Sequence, residues 1–380
     1  MKPGMKIICI STSIIPAATA HSMQLMKVCH TLGQLGHQVE LIVPGNAGEA
    51  WETLAKHYGL SQPFSIKYIK SKPAFKRYDF SLKAIQYAQR QKSDLIYTWL
   101  LPAAVMALWA DMPAILEIHD RITGMGAPWF FKQFLVSKTP KRLAVITDAL
   151  VIKLSRQFPK YEGNVDTVLA PNGVELERYK HLPSTSDARK QLGLPDRLTV
   201  VYSGSFYAGR GIELLHGLAR QNPGIQFIWA GGNSRSVEEW KQKLSTEGLE
   251  NVHLTGFINN DELPLYQAAG DILVMPFSTA IAGSSGGNSA EICSPMKMFD
   301  YLASGRVIMA SDLPVLHEVL NNDNAMLLPP EDLDAWQKAL FRLAADQHLR
   351  RELGVQARKD AGGYTWLKRE TEILKGFPGK

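Results

Sequence analysis

Residues 294–312 read Ser294-Pro-Met-Lys-Met-Phe-Asp-Tyr-Leu-Ala-Ser-Gly-Arg-Val-Ile-Met-Ala-Ser-Asp312. Ser294 as N-cap and Pro295 as first helical residue predict a helix start. Gly305 predicts its end, and Val307–Ala310 reads as a buried strand fed by that helix. A helix N-terminus can hold an anion, because its first N–H groups have no partner inside the helix and the dipole has the same sign. Asp300, further along, offers a carboxylate to hydroxyl groups. Phosphate at the tip and hydroxyls along the body point to a nucleotide-sugar ligand.

Short apolar runs alternate with helical patterns on both sides of this stretch. Strands are expected at Ile7–Ser11, Val39–Val43, Leu95–Thr98, Ala114–Ile118, Ala144–Thr147 and Thr167–Leu169. A second set falls at Thr199–Ser203, Ile225–Ala230, Val252–Thr255, Ile272–Met275, Val307–Ala310 and Met326–Leu328. Uninterrupted apolar runs suit strands buried on both faces of a parallel sheet. Helical patterns such as Ser22–Leu35 and Ala335–Ala345 lie between them, which is βα repetition and an α/β fold. The pattern occurs twice, and 380 residues is long for one core. Two doubly wound domains facing a cleft are expected, at residues 1–182 and 183–361, with a C-terminal helix in 362–380 returning to the first. Ligands of such sheets bind beyond the carboxyl ends of the strands.

The charge is unevenly spread. Residues 1–180 carry 22 Lys and Arg against 13 Asp and Glu, and residues 181–380 carry 20 against 23. The basic first half is suited to something anionic, an anionic membrane face or an acidic acceptor. No nucleic-acid motif accompanies it. Trp129–Lys138 interleaves aromatics and lysines and can either dock on a membrane interface or pack as a core helix. No apolar run reaches the roughly 18 residues of a membrane span, and the N-terminal apolar stretch is too short for a signal peptide. Cys9, Cys29 and Cys293 lack metal spacing and read as thiols in a reducing cytoplasm.

Several segments carry candidate chemistry. Ser203-Gly-Ser-Phe-Tyr-Ala-Gly-Arg-Gly-Ile212 joins a strand to a helix. Its glycines permit tight turns and close approach, and Arg210 can meet two phosphate oxygens at once. His119 closes an apolar strand and can hydrogen-bond a sugar, acceptor or phosphate, or carry a proton. Pro171-Asn-Gly173 reads as a turn, and residues 281–289 read as a lid. After Gly256, the backbone of Phe257 and Ile258 can read the edge of a base. No zinc-type motif, Asp-x-Asp pair, Walker loop or dinucleotide fingerprint is present, so no metal or cofactor is expected.

At these residues the chain resembles the family 4 retaining glycosyltransferases of the GT-B fold, nearly end to end. The resemblance rests on His21–Val28, Gly36-His37, Pro171–Val174, the loop from Gly204 to Gly211 and the run from Asp300 to Asp312. It implies metal-free transfer of a sugar, with retention, from a UDP- or GDP-sugar. The acceptor would be a glycan or a lipid-linked acceptor in cell-envelope polysaccharide or glycolipid synthesis, at a cytoplasmic site on the inner membrane face. It implies that Gly204, Ser205, Arg210 and the helix start at Ser294, Pro295, Met296 and Lys297 hold the diphosphate. Asp300 would take the ribose hydroxyls; Gly256, Phe257 and Ile258 would face the base. Catalytic roles would fall to His119, Arg210 and Lys297. The chain departs from the family pattern at Ser205, where an arginine is usual, and at Asp300 in place of glutamate. A further glutamate should fall at Ile292, and Glu291 is its neighbour. A non-hydrolysing UDP-sugar 2-epimerase and a degenerate sugar-binding scaffold are the alternatives.

Overall fold

The computed structural model describes residues 4–72, 77–159, 161, 163, 165–281 and 288–378. The chain divides into two compact units, Met1–Asn172 with Trp366–Lys380, and Gly173–Thr365. The division falls ten residues before position 182. Val174 bridges Thr365 and its N–H donates to the Tyr364 carbonyl, which ties the segment after Asn172 to the second unit. The C-terminal helix Trp366–Leu374 returns to the first unit. Pro171–Gly173 forms no turn; the chain is irregular there.

The first unit holds β1 Lys6–Ile10, β2 Gln38–Pro44, β3 Ser65–Ile69, β4 Leu95–Thr98, β5 Ala114–Ile118, β6 Lys141–Val145 and β7 Asp166–Leu169. They form a seven-stranded sheet in the order β3-β2-β1-β4-β5-β6-β7, with parallel pairing throughout. β4 and β5 are buried end to end and β1 from Ile7 onward, as their apolar runs require. β3 is the strand the apolar pattern does not announce: it lies at the edge, with Lys67 in its middle and no fully buried residue. β6 begins earlier than expected, at Lys141. It stops before Thr147, whose side chain accepts from the Leu150 N–H as N-cap of the helix Asp148–Gln157.

The second unit holds β8 Thr199–Gly204, β9 Gln226–Gly231, β10 Val252–Gly256, β11 Ile272–Met275, β12 Val307–Ser311 and β13 Met326–Leu328. The order is β10-β9-β8-β11-β12-β13, again parallel. Its core gathers Tyr202, Phe227, Trp229, Val274, Met309 and Trp336.

The helix before β12 runs Met296–Ser304. Its N-cap is Pro295, in extended backbone and without a side-chain cap bond, so Ser294 does not cap it as expected. Ser294 is buried instead. Gly305 ends the helix at φ +67°.

Candidate active site

The residues expected to hold a diphosphate meet at the carboxyl ends of β8 and β11. β8 closes on Gly204 at φ +141°, a backbone region that favours glycine. The loop then runs to Gly211, which starts the helix Ile212–Gln221 at φ +78°. Two of its glycines serve close approach to the protein itself. A Cβ on Gly209 would lie 2.3 Å from the Ala280 carbonyl, and one on Gly211 would lie 1.7 Å from that of Pro276. The loop is therefore pressed onto the segment that follows β11.

Gly204 is different, because a side chain there would meet Lys297: its Cβ would lie 2.5 Å from Nζ. Lys297 stands in the first turn of its helix, three residues before Asp300. That spacing puts the two on one helix face, yet they form no ion pair. The ammonium is buried 3.8 Å from the Tyr202 ring centroid and 5.4 Å from that of Phe277, and has no hydrogen-bond partner. Burial first, then the charge of Arg210, holds it well below the usual lysine range.

Arg210 approaches the same Phe277 ring. Its guanidinium carbon lies 4.9 Å from Phe277 and 4.8 Å from Tyr207, and it donates to the Tyr207 hydroxyl at 2.7 Å. Its Nε is buried without a partner. Among the described residues, neither cation pairs with a carboxylate. Two uncompensated cations side by side cost free energy that an anion between them would remove.

The Met296–Ser304 helix that carries Lys297 is anchored to the sheet. The Ser203 N–H donates to the Tyr301 hydroxyl at 2.8 Å, and that hydroxyl donates to the Val274 carbonyl at 3.3 Å. Asp300 lies beside the buried Tyr179; burial, then the Asp300 charge, raises that phenol well above its usual range. At the end of β10, Gly256 pairs with both Ala230 and Gly231, a register shift at φ +70°. Phe257 beyond it is 46% exposed. Arg178 donates to the Asn260 side chain at 2.7 Å and to its carbonyl, which pins this loop. Of the expected lid, residues 281–289, positions 282–287 lie outside the described residues.

His119 belongs to the first unit, immediately after β5. Its Nε2 lies 2.6 Å from Glu117 Oε1. Glu117 is the one acid in the apolar run Ala114–Ile118, and it is fully buried. It also accepts from Gln24 and Arg369 on Oε1 and from the Tyr97 hydroxyl on Oε2. Burial alone would raise this carboxyl; Arg369 and His119 outweigh it and hold it well below the carboxylate range. The His21 ring lies edge-on to His119 at 5.7 Å, and burial first, then His119, lowers it to about 4. Sequence reasoning passed over Glu117 and Arg369. Their signal was a lone acid in an apolar strand and an Arg-Glu pair on the inner face of the last helix.

Residues 197–346 match the family Glycosyl transferases group 1. The D-inositol 3-phosphate glycosyltransferase of Saccharomonospora viridis is 28% identical over 61% of this chain and 54% of its own length. The phosphatidyl-myo-inositol mannosyltransferase of Mycolicibacterium smegmatis is 21% identical over 99% of this chain and 93% of its own. The matched family and both relatives are glycosyltransferases. The structure of Anabaena Alr3699/HepE in complex with UDP-glucose superposes at a TM-score of 0.71, with 18% identity over 98% of each chain. The two-sheet architecture is the GT-B fold.

Two departures of this chain from the pattern it resembles take structural form. Ile292 is 1% exposed and belongs to the core, so the missing glutamate has no side-chain equivalent at that position. Glu291 is exposed, at the end of the 3-10 turn Ser289–Glu291. Ser205 offers its carbonyl to the Tyr202 hydroxyl at 2.7 Å. The space beside Gly204 is filled by Lys297.

The Trp129–Lys138 stripe resolves into two faces of the helix Ala127–Val136. Phe131, Phe134 and Leu135 are core. Trp129, 51% exposed, lies 4.9 Å from Phe130 and 6.0 Å from Trp109, itself 56% exposed; Phe130 stacks on Tyr78. Met125 and Val136 are exposed as well. Among the described residues no helix is long and apolar enough to cross a membrane.

Proposed function

We propose that this glycosyltransferase transfers a sugar, with retention of configuration and without a metal, from a UDP- or GDP-sugar to a glycan or lipid-linked acceptor. The observation that carries the reading is the Arg210–Lys297 pair, two unneutralised cations converging on Phe277 beside the start of the Met296–Ser304 helix. A diphosphate supplies the missing counter-charge, and its negative charge grows as the bond to the sugar breaks. Preorganised charge of this kind stabilises the leaving group by about 3–4 kcal/mol per donor. The diphosphate can then take the proton of the attacking hydroxyl on the same face of the sugar.

In this reading Gly204, Ser205, Ser294, Pro295 and Met296 surround the phosphates. Asp300 takes ribose hydroxyls, and Gly256, Phe257 and Ile258 face the base. Glu291, exposed near the helix start, contacts the sugar; the buried Ile292 does not. His119 hydrogen-bonds the transferred sugar or the acceptor. The solved HepE complex contains UDP-glucose, which favours a uridine nucleotide. A relative named for phosphatidyl-myo-inositol and the exposed aromatic cluster around Trp129 support a glycolipid acceptor, reached at the cytoplasmic membrane face. The deciding experiment is a hydrolysis and transfer assay over UDP-glucose, UDP-galactose, UDP-N-acetylglucosamine and GDP-mannose. Turnover of one of them with an α-configured product is expected; binding without turnover would mark a sugar-binding scaffold.

A further inference from the structure

We infer that Glu117 and Arg369 are positioning residues that fix the His119 imidazole in one tautomer and one orientation. The inference rests on the reading above, in which His119 meets the sugar or the acceptor. Glu117 has no solvent exposure, and both of its oxygens are occupied. Oε1 accepts from Gln24 Nε2 at 2.6 Å, from Arg369 and from His119 Nε2 at 2.6 Å; Oε2 accepts from the Tyr97 hydroxyl at 2.5 Å. A carboxylate held by donors from three other elements cannot rotate to follow the ring, so the ring must follow the carboxylate.

Arg369 fixes that carboxylate from the last helix of the chain. Its Nε donates to the Pro171 carbonyl at 2.9 Å and its Nη2 to that of Ala170 at 3.1 Å, while Nη1 pairs with Glu370. The whole guanidinium fork is used, and removing it would leave the Glu117 charge buried and uncompensated. The arrangement ends at solvent only on His119, whose side chain is 24% exposed. With Nε2–H given to Glu117, the remaining ring atom is Nδ1, which has no partner among the described residues. Neutral His119 therefore offers a lone pair to a hydroxyl, and the protonated ring offers an N–H to an oxygen bearing charge. The groups that face this ring directly or through Glu117 are His21, Tyr97, Arg369 and Glu370. His21 titrates near 4 and stays neutral above it. Burial pushes the Glu370 carboxyl up to about 7 against the pull of Arg369, so a Glu370→Gln control separates its titration from that of His119.

The test combines histidine nitrogen NMR on the full chain with turnover of whichever nucleotide sugar, UDP-glucose or GDP-mannose, the protein hydrolyses. Wild type is expected to show His119 protonated at Nε2; a ring protonated at Nδ1 alone overturns the inference. Glu117→Gln should mix the tautomers and lower kcat by about 10- to 100-fold, the scale of losing a partner that orients an imidazole, with UDP affinity unchanged. If that variant does not fold, Glu117→Gln with Arg369→Met and Glu370→Gln removes the three buried ionisable groups together and replaces it. In the Glu370→Gln background the pH profile should still move when Glu117 is changed. A folded Glu117 variant with wild-type tautomer and kcat overturns the inference. Should His119→Ala retain full turnover while Glu117→Gln still changes the tautomer, the part given to His119 in transfer falls and the positioning stands.

Discussion

The Lys297 ammonium occupies the space that a side chain on Gly204 would need, 2.5 Å from where its Cβ would sit. Glycine at 204 and lysine at 297 are thus one feature. The strand end gives up its side chain so that a cation from a helix 93 positions later can stand beside it. Gly204→Ala should push the flexible end of Lys297 aside and strain the backbone at φ +141°. UDP affinity should fall by about 1.5–3 kcal/mol, the scale of a charge-assisted bond, and to a similar extent in Lys297→Met. Calorimetry with UDP and with uridine tests this; equal losses for both ligands would place Lys297 away from the phosphates.

Arg210→Ala should weaken UDP by a similar amount, about 1.5–3 kcal/mol, and leave uridine unchanged. Arg210 and Lys297 share Phe277, so their effects should not add. A sum of single losses matching the double variant would mean that they contact separate ligand groups.

Lys297 also makes binding pH-dependent. Its folded pKa lies below the ordinary 10.5, so between the two values the unfolded chain holds a proton that the free folded protein lacks. The contribution of this group to stability therefore rises with pH through that window. A bound diphosphate restores the charged form, so binding takes up a proton there and affinity falls as pH rises. Calorimetry in buffers of different ionisation enthalpy reads the uptake directly, and Lys297→Met should abolish it.

Ile292 sits where the family pattern asks for a glutamate but lies in the core. Ile292→Ala should cost about 2–5 kcal/mol of stability with UDP affinity unchanged. Denaturant unfolding beside calorimetry separates the two. A stable variant with lost donor binding would move Ile292 into the donor site.

In the proposed reading Arg210, Lys297 and the helix dipole neutralise the diphosphate in place of a divalent ion. Turnover should survive exhaustive EDTA treatment. A loss restored by Mg²⁺ or Mn²⁺ would reassign the phosphate charge to a metal.

The exposed Trp109 and Trp129, with half-buried Phe130 beside them, and the basic first half should bring the protein to anionic vesicles. Lys67, Lys70, Lys72 and Arg77 contribute there at about 1 kcal/mol each where they reach the surface; Lys76 lies outside the described residues. Co-sedimentation is expected with phosphatidylglycerol vesicles, not with phosphatidylcholine, and should fade toward 1 M salt as the Debye length shortens to about 3 Å. Trp109→Ala with Trp129→Ala should weaken it. Indifference to anionic vesicles at low salt would favour a soluble acidic acceptor.

Local chemistry alone determined much of this protein. Apolar runs such as Leu95–Thr98 and Ile272–Met275 became strands with the same ends, because a strand buried on both faces leaves no polar position to blur its limits. Gly305 stopped its helix for the reason a missing Cβ permits. Arg210 and Lys297 were legible as cations, one in a strand-to-helix loop and one at a helix start. Only the tertiary structure decided that they share Phe277 without a carboxylate, because counter-charge depends on which side chains the fold leaves nearby. The edge strand β3 stayed hidden, since an edge tolerates Lys67 and shows no clean apolar run. The Glu117–Arg369 pair was hidden more deeply: its partners lie 252 residues apart, and no local pattern records that a lone acid in an apolar strand has its base on the last helix.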